Sequence, residues 1–179
     1  MRLVLLLFYL AHEQTAKQKG LKMSATVKPI PEGHEGAIPY LSVGNASEAI
    51  AFYKNAFGAV EVLCIAHEGK VGHEELAIGE AKIMLCDEFP DHDSLSPQTI
   101  GGTPVMIHLY VEDVDAFTAR AVIAGLKILR PVEDQFYGDR GGKFEDPFGH
   151  RWWIATRKED ILPDELKRRA AALFGASPA

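Results

Sequence analysis

The chain has 179 residues, 47% of them hydrophobic and 25% charged, a composition typical of a globular protein and not of a disordered or fibrous one. This length fits one domain of ordinary size or two small halves that share a core. A net charge of −6 leaves no broad basic surface, so neither a nucleic acid nor an anionic membrane is predicted as a partner. The two cysteines, Cys64 and Cys86, are too few for a disulfide framework and favour a cytoplasmic location.

Residues 1–36 are predicted to form an N-terminal extension that is partly disordered. Residues 3–11 are a run of nine apolar residues, which is too short to span a bilayer. The run resembles a weak signal peptide, but no small-x-small cleavage site follows it. We interpret residues 1–22 as an upstream misread or a disordered tail, with export as the alternative. Residues 23–36 hold two prolines and two glycines and indicate an extended lead-in.

The first predicted module consists of a strand, a helix and three more strands. Residues 38–43 are a short apolar run with strand character. Asn45, with Glu48 three positions later, predicts a capped helix whose apolar stripe ends at Gly58. Three further strands are predicted at residues 59–67, 71–78 and 81–88.

The second predicted module repeats this pattern after a polar linker, residues 89–102. Residues 105–111 form a strand, Asp113 is a helix N-cap, and Gly125 ends the helix. Three more strands are predicted at residues 126–132, 141–145 and 150–156. Both modules share a Leu-x-Val strand exit, a cap and a terminal glycine, so the sequence predicts an α+β fold of two βαβββ modules. A final helix over residues 163–175 has proline and acids first and bases after them.

The run FYGDRGGKFEDPFGHRWWIAT, residues 136–156, is rich in glycine, charge and aromatic residues. Its segment Asp146-Pro147-Phe148-Gly149 has the chemistry of a turn that joins two strands. In a phosphate-binding loop, the glycines directly precede a helix. Here the residues on both sides have strand character, so a phosphate loop is not predicted.

Three motifs resemble one known family. AIAFYKNAFGA, LYVEDVDA and GDRGGKFEDPFGHRW are similar to the PhnB-like branch of the vicinal oxygen chelate (VOC) superfamily, which contains glyoxalases, bleomycin-resistance proteins, fosfomycin-resistance enzymes and extradiol dioxygenases. The resemblance covers one domain, residues 37–157, with modules at 37–95 and 103–157, before a C-terminal helix and tail at 158–179. It implies a cupped mixed sheet, a homodimer and a small-molecule ligand.

Strand alternation separates a helix-facing side from a cavity side of each sheet. Leu41 and Val43 should face the first helix, and Val105, Ile107, Leu109 and Val111 should take the core side of the fifth strand. The other positions of these strands should line a cavity. The predicted ligand-binding residues are Tyr40, Glu75, Met84, Met106, His108, Tyr110, Arg151 and Trp153. Aromatic and thioether walls favour a planar or apolar ligand.

The resemblance also bears on metal binding, because metal-dependent relatives place His or Glu at one position on each of four strands. The matching positions here hold Ile38, Met84, Met106 and Trp153, none of which is a ligand for a hard metal ion. No cofactor is therefore predicted. His73, Glu75 and His108 remain an alternative, displaced site for a divalent metal.

Other chemical groups have mainly structural interpretations. His150 is expected on the core side of its strand, and Asp139 and Arg140 are expected to pair with each other or to cap their loop. Arg140 or Arg151 could instead grip a substrate carboxylate, while Cys86 has no predicted base beside it.

The main hypothesis is a metal-free, dimeric, cytoplasmic small-molecule-binding protein of the glyoxalase and bleomycin-resistance type. Its rival is a metal-dependent lyase, isomerase or dioxygenase that uses the displaced site. A third possibility is a structural domain whose own side chains fill the cavity. The sequence leaves open whether the protein is an enzyme.

Overall fold

A computed structural model describes residues 27–175 of the chain. They fall into two compact units, an N-terminal unit that ends at Gly101 and a C-terminal unit that begins at Gly102. Each unit holds the predicted succession of strand, helix and three strands, which confirms the α+β fold with two βαβββ modules. The predictions for residues 1–26 concern a segment outside the described residues.

The N-terminal unit is built around a four-stranded mixed sheet. Its elements are β1 (Tyr40–Val43), α1 (Ala46–Phe57), β2 (Val60–His67), β3 (Lys70–Ile78) and β4 (Ala81–Asp87). The strand order is β1-β4-β3-β2, with β1 parallel to β4 and the other neighbours antiparallel. Leu41 and Val43 are buried, as the alternation predicted.

Helix α1 begins and ends where the sequence predicted. The side chain of Asn45 accepts a hydrogen bond from the backbone N–H of Glu48, and Gly58 closes the helix with φ 69°. Ala49, Tyr53 and other members of the apolar stripe are buried, so the stripe lies against the sheet.

Asp87, at the end of β4, ties three elements together. Its buried carboxylate accepts from the backbone N–H of Ala46 at 2.9 Å and from that of Val71 at 2.7 Å. The first turn of α1 and the start of β3 are thereby held to β4.

Residues 89–102 differ from the predicted polar linker, because they contain a 3-10 turn (Pro90–His92) and a short helix, α2 (Pro97–Ile100). Ser96 caps α2 by accepting from the backbone N–H of Thr99. The carboxylate of Glu88 accepts from the Ser96 backbone N–H at 3.0 Å and the Thr99 hydroxyl at 2.7 Å. This local polar network orders a segment whose composition alone resembles a loop.

The C-terminal unit repeats the same topology. Its elements are β5 (Met106–Tyr110), α3 (Val114–Ile123), β6 (Lys127–Asp134), β7 (Asp139–Glu145), β8 (Arg151–Arg157) and α4 (Pro163–Phe174). The strand order is β5-β8-β7-β6, with β5 parallel to β8. The Thr156 hydroxyl accepts from the Val114 backbone N–H and donates to the Val111 carbonyl, both at 2.8 Å, and so joins the start of α3 to β8.

Strand β5 begins one residue later than predicted. Leu109 is buried, but Val105 lies before the strand and is 62% exposed, so its predicted place in the core is wrong. A proline at position 104 precedes Val105, and proline provides no backbone N–H for a sheet ladder.

Asp146 organises the predicted turn between β7 and β8. One oxygen of its buried carboxylate accepts from the backbone N–H groups of Phe148 and His150, and the other accepts from Trp152 Nε1 at 2.9 Å. Gly149 takes φ 87°, a conformation that glycine adopts without steric cost. The glycine-rich run is therefore two strands and their turn, as predicted.

Helix α4 forms where predicted, and none of its residues is buried. Arg169 makes an ion pair with Glu159 at 2.9 Å, and the Phe174 ring meets the Phe136 ring edge to face. Among residues 27–175, no helix is long and apolar enough to cross a membrane.

Glu74 of β3 is fully buried on the helix-facing side of the N-terminal sheet, opposite Leu85 of β4. Neither of its carboxylate oxygens has a hydrogen-bond partner among the described residues. Burial raises the pKa of Glu74 to about 7, and the nearby Cys64 thiol offsets this only in part. The carboxyl group is therefore best accommodated when it is protonated.

Glu74→Gln should change how the stability of the protein depends on pH. The folded pKa of about 7 lies above the unfolded value, so this group's stabilising contribution is present at low pH and is lost as the pH rises through 7. A glutamine side chain cannot ionise. In urea unfolding, the free energy of unfolding of the variant relative to wild type should therefore rise by on the order of 3 kcal/mol from pH 4 to pH 8.5. Glu80→Gln, at an exposed turn, is the control. An equal difference at both pH values would contradict the assignment.

Candidate functional site

One face of the C-terminal sheet carries a row of chemically active side chains. His108 of β5, Trp153 of β8 and Lys143 of β7 lie opposite one another across the three strands. Their neighbours Trp152 and Ile154 point to the other side, where they are buried beside α3. We call the side opposite α3 the Trp153 face.

Two adjacent tryptophans differ in the state of their indole N–H groups. Trp152 Nε1 donates to Asp146, whereas Trp153 Nε1 is buried and has no hydrogen-bond partner among the described residues. Trp153 as a whole is only 8% exposed. A buried donor without an acceptor costs about 1–3 kcal/mol, so Trp153 is a place where an external acceptor would be favourable.

Gly141 of β7 leaves the space that the Trp153 indole occupies. A Cβ atom at position 141 would lie 3.0 Å from Trp153 Nε1 and 2.9 Å from the Cβ of Ala155. Such distances are too short for a side chain, so a glycine is needed here for room.

Tyr110 and His108 extend the Trp153 face along β5. Their rings stack with centroids 4.6 Å apart, and both side chains are exposed. The Tyr110 hydroxyl donates to the buried Asp139 carboxylate at 2.7 Å, and this hydrogen bond raises the pKa of Tyr110. A groove of about 690 Å³ lies at the end of β5 and is lined by Tyr110, Val111, Glu112, Thr156 and Arg157.

The predicted pairing of Asp139 with Arg140 is wrong. Arg140 donates to the Asp115 carboxylate at 2.7 and 2.9 Å and to Asp134 at 3.2 Å, because its side chain points away from that of Asp139 on the same strand. Arg140 is thus committed to two carboxylates of its own unit and is a poor candidate for gripping a ligand.

Two basic residues lie near Trp153. The Arg130 guanidinium lies 6.0 Å from the ring centroid, and Lys143 is the direct neighbour of Trp153 on β7. Neither Arg130 nor Lys143 makes an ion pair with another described residue, whereas Arg151 Nε lies 3.7 Å from Glu145. The Trp153 face therefore offers two positive charges that the described protein does not neutralise.

The N-terminal sheet carries a second group of polar side chains, which we call the Tyr40 cluster: Tyr40, His73, Glu75, His34 and Lys82. The Tyr40 hydroxyl lies 3.0 Å from His73 Nδ1, and His73 Nε2 lies 3.4 Å from Glu75 Oε1. The other oxygen of Glu75 lies 3.1 Å from His34 Nε2 and 3.6 Å from the Lys82 ammonium. His73 and Glu75 are buried, whereas Tyr40 is 41% exposed.

The environment of the Tyr40 cluster sets the charge of its members. Burial raises the pKa of Tyr40, and the neighbouring Cys86 adds to this effect. Burial lowers the pKa of His73, although its hydrogen bond to Glu75 opposes the change. Burial would raise the pKa of Glu75, but hydrogen bonds from His34 and His73 outweigh it, and the pKa lies below its ordinary value. At neutral pH the Tyr40 phenol and the His73 imidazole are therefore neutral, and Glu75 is a carboxylate.

Met84 and Cys86 fill the row between Tyr40 and the β3 residues. Met84 is the direct partner of Tyr40 on one side and of Glu75 on the other, and it is buried. The Cys86 thiol lies 3.6 Å from the Ser94 hydroxyl, which is not a base. The thiol therefore lacks the kind of neighbour that would activate it as a nucleophile.

The residues present do not fit the metal site that the family resemblance implies. The four matching positions offer two thioethers, an indole and an isoleucine, which are not ligands for a hard divalent ion. Among residues 27–175, no group of three or more His, Cys, Asp or Glu side chains is placed to hold a metal ion. His73 and Glu75 contact each other, and His108 belongs to the other unit, where it stacks on Tyr110. We therefore treat His73 and Glu75 as hydrogen-bonding groups.

Sequence reasoning missed three residues of these sites. His34 lies in the aperiodic lead-in, where no pattern assigns a side chain to a face. Lys143 could have been found, since alternation from Phe144 would have put it opposite the core. Arg130 lies next to irregularities in the β6–β7 register, which simple alternation does not reveal.

Comparison with known proteins identifies similar chains. The family model for the Glyoxalase/Bleomycin resistance protein/Dioxygenase superfamily matches residues 37–154. An uncharacterised protein of Mycobacterium tuberculosis is 39% identical over 155 residues, which cover 84% of this chain and 88% of that protein.

Solved structures show the same fold. TioX from Micromonospora sp. ML1 is 22% identical, with a TM-score of 0.56, and the match covers 72% of this chain and 100% of TioX. The PhnB protein from Bacillus cereus is 18% identical, with a TM-score of 0.54, and the match covers 68% of this chain and 99% of that protein. At these identities the two structures support the fold alone.

The two tryptophans provide a matched test of the site. Trp152→Phe removes a buried hydrogen bond to Asp146, whereas Trp153→Phe removes a donor that has no partner among the described residues. Both changes delete the same volume, so urea unfolding should show Trp152→Phe as the less stable variant by about 1–3 kcal/mol. Equal losses would mean that the two indole N–H groups are equally well bonded.

Proposed function

We propose that this chain, which belongs to the Glyoxalase/Bleomycin resistance protein/Dioxygenase superfamily, binds a small organic molecule on its Trp153 face without the help of a metal ion. The observation that carries the proposal is the buried N–H of Trp153, which is unpartnered among the described residues. A turn of the Trp153 ring would bring this N–H to a hydrogen-bond acceptor on a ligand, and the new bond would recover the free energy lost by burying the donor.

The surroundings of Trp153 favour a planar and negatively charged ligand. The stacked rings of His108 and Tyr110 and the indole itself offer aromatic surfaces for a planar molecule. Arg130 and Lys143 offer positive charge that no described side chain neutralises. An aromatic carboxylate combines a flat apolar body with a charged acceptor, and so suits both features.

The other predicted features remain part of this proposal. Met106 and Arg151 lie on the Trp153 face, one row from His108 and Trp153. Tyr40, Glu75 and Met84 belong to the N-terminal unit and stay predicted ligand-binding residues. Placement in the PhnB-like branch, assembly as a homodimer and a cytoplasmic location are likewise proposed.

Isothermal titration with 2-naphthoate and with the matched neutral 2-naphthamide tests the binding proposal. We expect the carboxylate to bind about tenfold more tightly than the amide, because one charge-assisted hydrogen bond contributes about 1.5–3 kcal/mol. Trp153→Phe should weaken carboxylate binding about tenfold, and Lys143→Gln should remove most of the preference over the amide. Lys127→Gln, which changes an exposed lysine already paired with Glu145, is the control. Absence of binding by both probes, or unchanged affinity in Trp153→Phe, would refute the proposal.

Native mass spectrometry of protein purified without chelators tests the metal-free assignment and the oligomeric state together. We expect a homodimer without bound zinc, iron or manganese, because the described donor groups do not form a metal site. Stoichiometric metal that is lost in His73→Gln would instead support a metal-dependent lyase, isomerase or dioxygenase.

A further inference from the structure

The Tyr40 cluster, which belongs to the other unit from the Trp153 face, has the arrangement of a catalytic relay. The hydroxyl of the partly exposed Tyr40 contacts a buried imidazole, whose second nitrogen contacts a buried carboxylate. Enzymes activate a hydroxyl group in this way: a base contacts the hydroxyl, and a third group orients the base. We propose that Tyr40, His73 and Glu75 form a proton relay through which the Tyr40 phenol acts as acid and base on a small molecule with a weakly acidic C–H next to a carbonyl group.

The direction of each hydrogen bond follows from the carboxylate. Glu75 can only accept, so His73 Nε2 carries the proton and donates to Glu75 Oε1. A neutral imidazole then has its lone pair on Nδ1, which lies 3.0 Å from the Tyr40 hydroxyl. The Gly72 carbonyl is a second acceptor at 3.4 Å, and the shorter contact assigns the Tyr40 proton to His73. The second oxygen of Glu75 is held by His34 and Lys82, which fixes the carboxylate in place. Tyr40 is left with a lone pair that can accept a proton from a ligand.

The protonation states agree with this direction. Burial keeps His73 neutral and Tyr40 protonated, while Glu75 remains ionised because His34 and His73 donate to it. Three titratable groups act directly on His73: Tyr40 on β1 contacts its Nδ1, Glu75 on its own strand contacts its Nε2, and the nearby His34 in the lead-in helps to lower its pKa. Lys82 of β4 in turn contacts Glu75 and His34. Only Glu75 among them is negatively charged at neutral pH, and it faces the nitrogen that would share the charge of an imidazolium.

The step balances without any further reagent. The phenol oxygen of Tyr40 takes the substrate proton while its own proton moves to His73 Nδ1, which leaves an enolate and an imidazolium paired with Glu75. For the return step, Tyr40 gives its proton to another atom of the enolate and takes back the proton held by His73, which yields an isomer and restores the relay. The relay therefore suits an isomerisation or a proton exchange, in which no group is oxidised or reduced.

Reaction with p-toluenesulfonyl fluoride tests whether Tyr40 is activated. The phenol oxygen bonds to sulfur, fluoride leaves, and the phenolic proton goes to His73, so the relay should accelerate the reaction. Peptide mapping by mass spectrometry should find Tyr40 modified about tenfold faster than Tyr110, even though Tyr40 is 41% and Tyr110 58% exposed, because Tyr110 donates to a carboxylate, a much weaker base. Equal or slower modification of Tyr40 would overturn the proposal.

Variants and pH separate a relay from simple accessibility. His73→Gln should slow Tyr40 modification about tenfold, and Glu75→Gln should slow it by a smaller factor. In wild type the rate should be constant between about pH 7 and 8 and should fall only below the ordinary histidine pKa of about 6.5, where His73 becomes protonated. A rate that does not change in His73→Gln would overturn the relay.

Two further measurements keep the proposal testable if His73→Gln fails to fold. In nitrogen-15 NMR spectra, His73 should be the neutral tautomer with its proton on Nε2, and Tyr40→Phe should shift the Nδ1 resonance. Hydroxyacetone in heavy water is a minimal substrate: wild type should exchange its carbon-bound protons for deuterium faster than Tyr40→Phe. A His73 proton on Nδ1, or equal exchange by wild type and Tyr40→Phe, would overturn the proposal, and neither result bears on binding at the Trp153 face.

Discussion

In each unit, one side chain at the end of the fourth strand accepts a hydrogen bond from the first turn of the helix. Asp87 has this role for α1, and Thr156 has it for α3. Because the helix must then start beside that strand, the first strand, which feeds the helix, is fixed in parallel register with the fourth. The face on which each side chain lies depends on this register, since a slip of one residue would turn every side chain of the strand to the opposite face.

The shared register places corresponding rows of side chains on both sheets, but the two rows have different chemistry. In the N-terminal unit the row through Met84 leads to a hydroxyl, an imidazole and a carboxylate that are bonded to one another. In the C-terminal unit the row through Trp153 ends in a donor that no described residue satisfies, beside uncompensated positive charge. The same backbone therefore carries a hydrogen-bonded polar chain in one unit and an unsatisfied buried donor in the other.

Much of the fold could be predicted because local signals agree with one another. The cap at Asn45, the stop at Gly58 and the turn at Asp146 each have a chemical signature that needs only a few neighbours. The long-range partners could not be predicted: Arg140 has several carboxylates within sequence reach, and only the fold selects Asp115 and Asp134. His34 is the extreme case, because its partner Glu75 is 41 residues away.

Residues Gly141 and Gly142 give one stretch of β7 no side chain on either side of the sheet. The Trp153 indole covers the bare backbone on one side and the Phe144 ring approaches it on the other, and a Cβ at either glycine would collide with neighbouring atoms. This part of the Trp153 face is thus made of main chain and a single ring, which have few rotamers to lose if a molecule binds there. Because the ring is the one part of this stretch that can turn, a molecule would be selected by whether it fits the space that the turn opens.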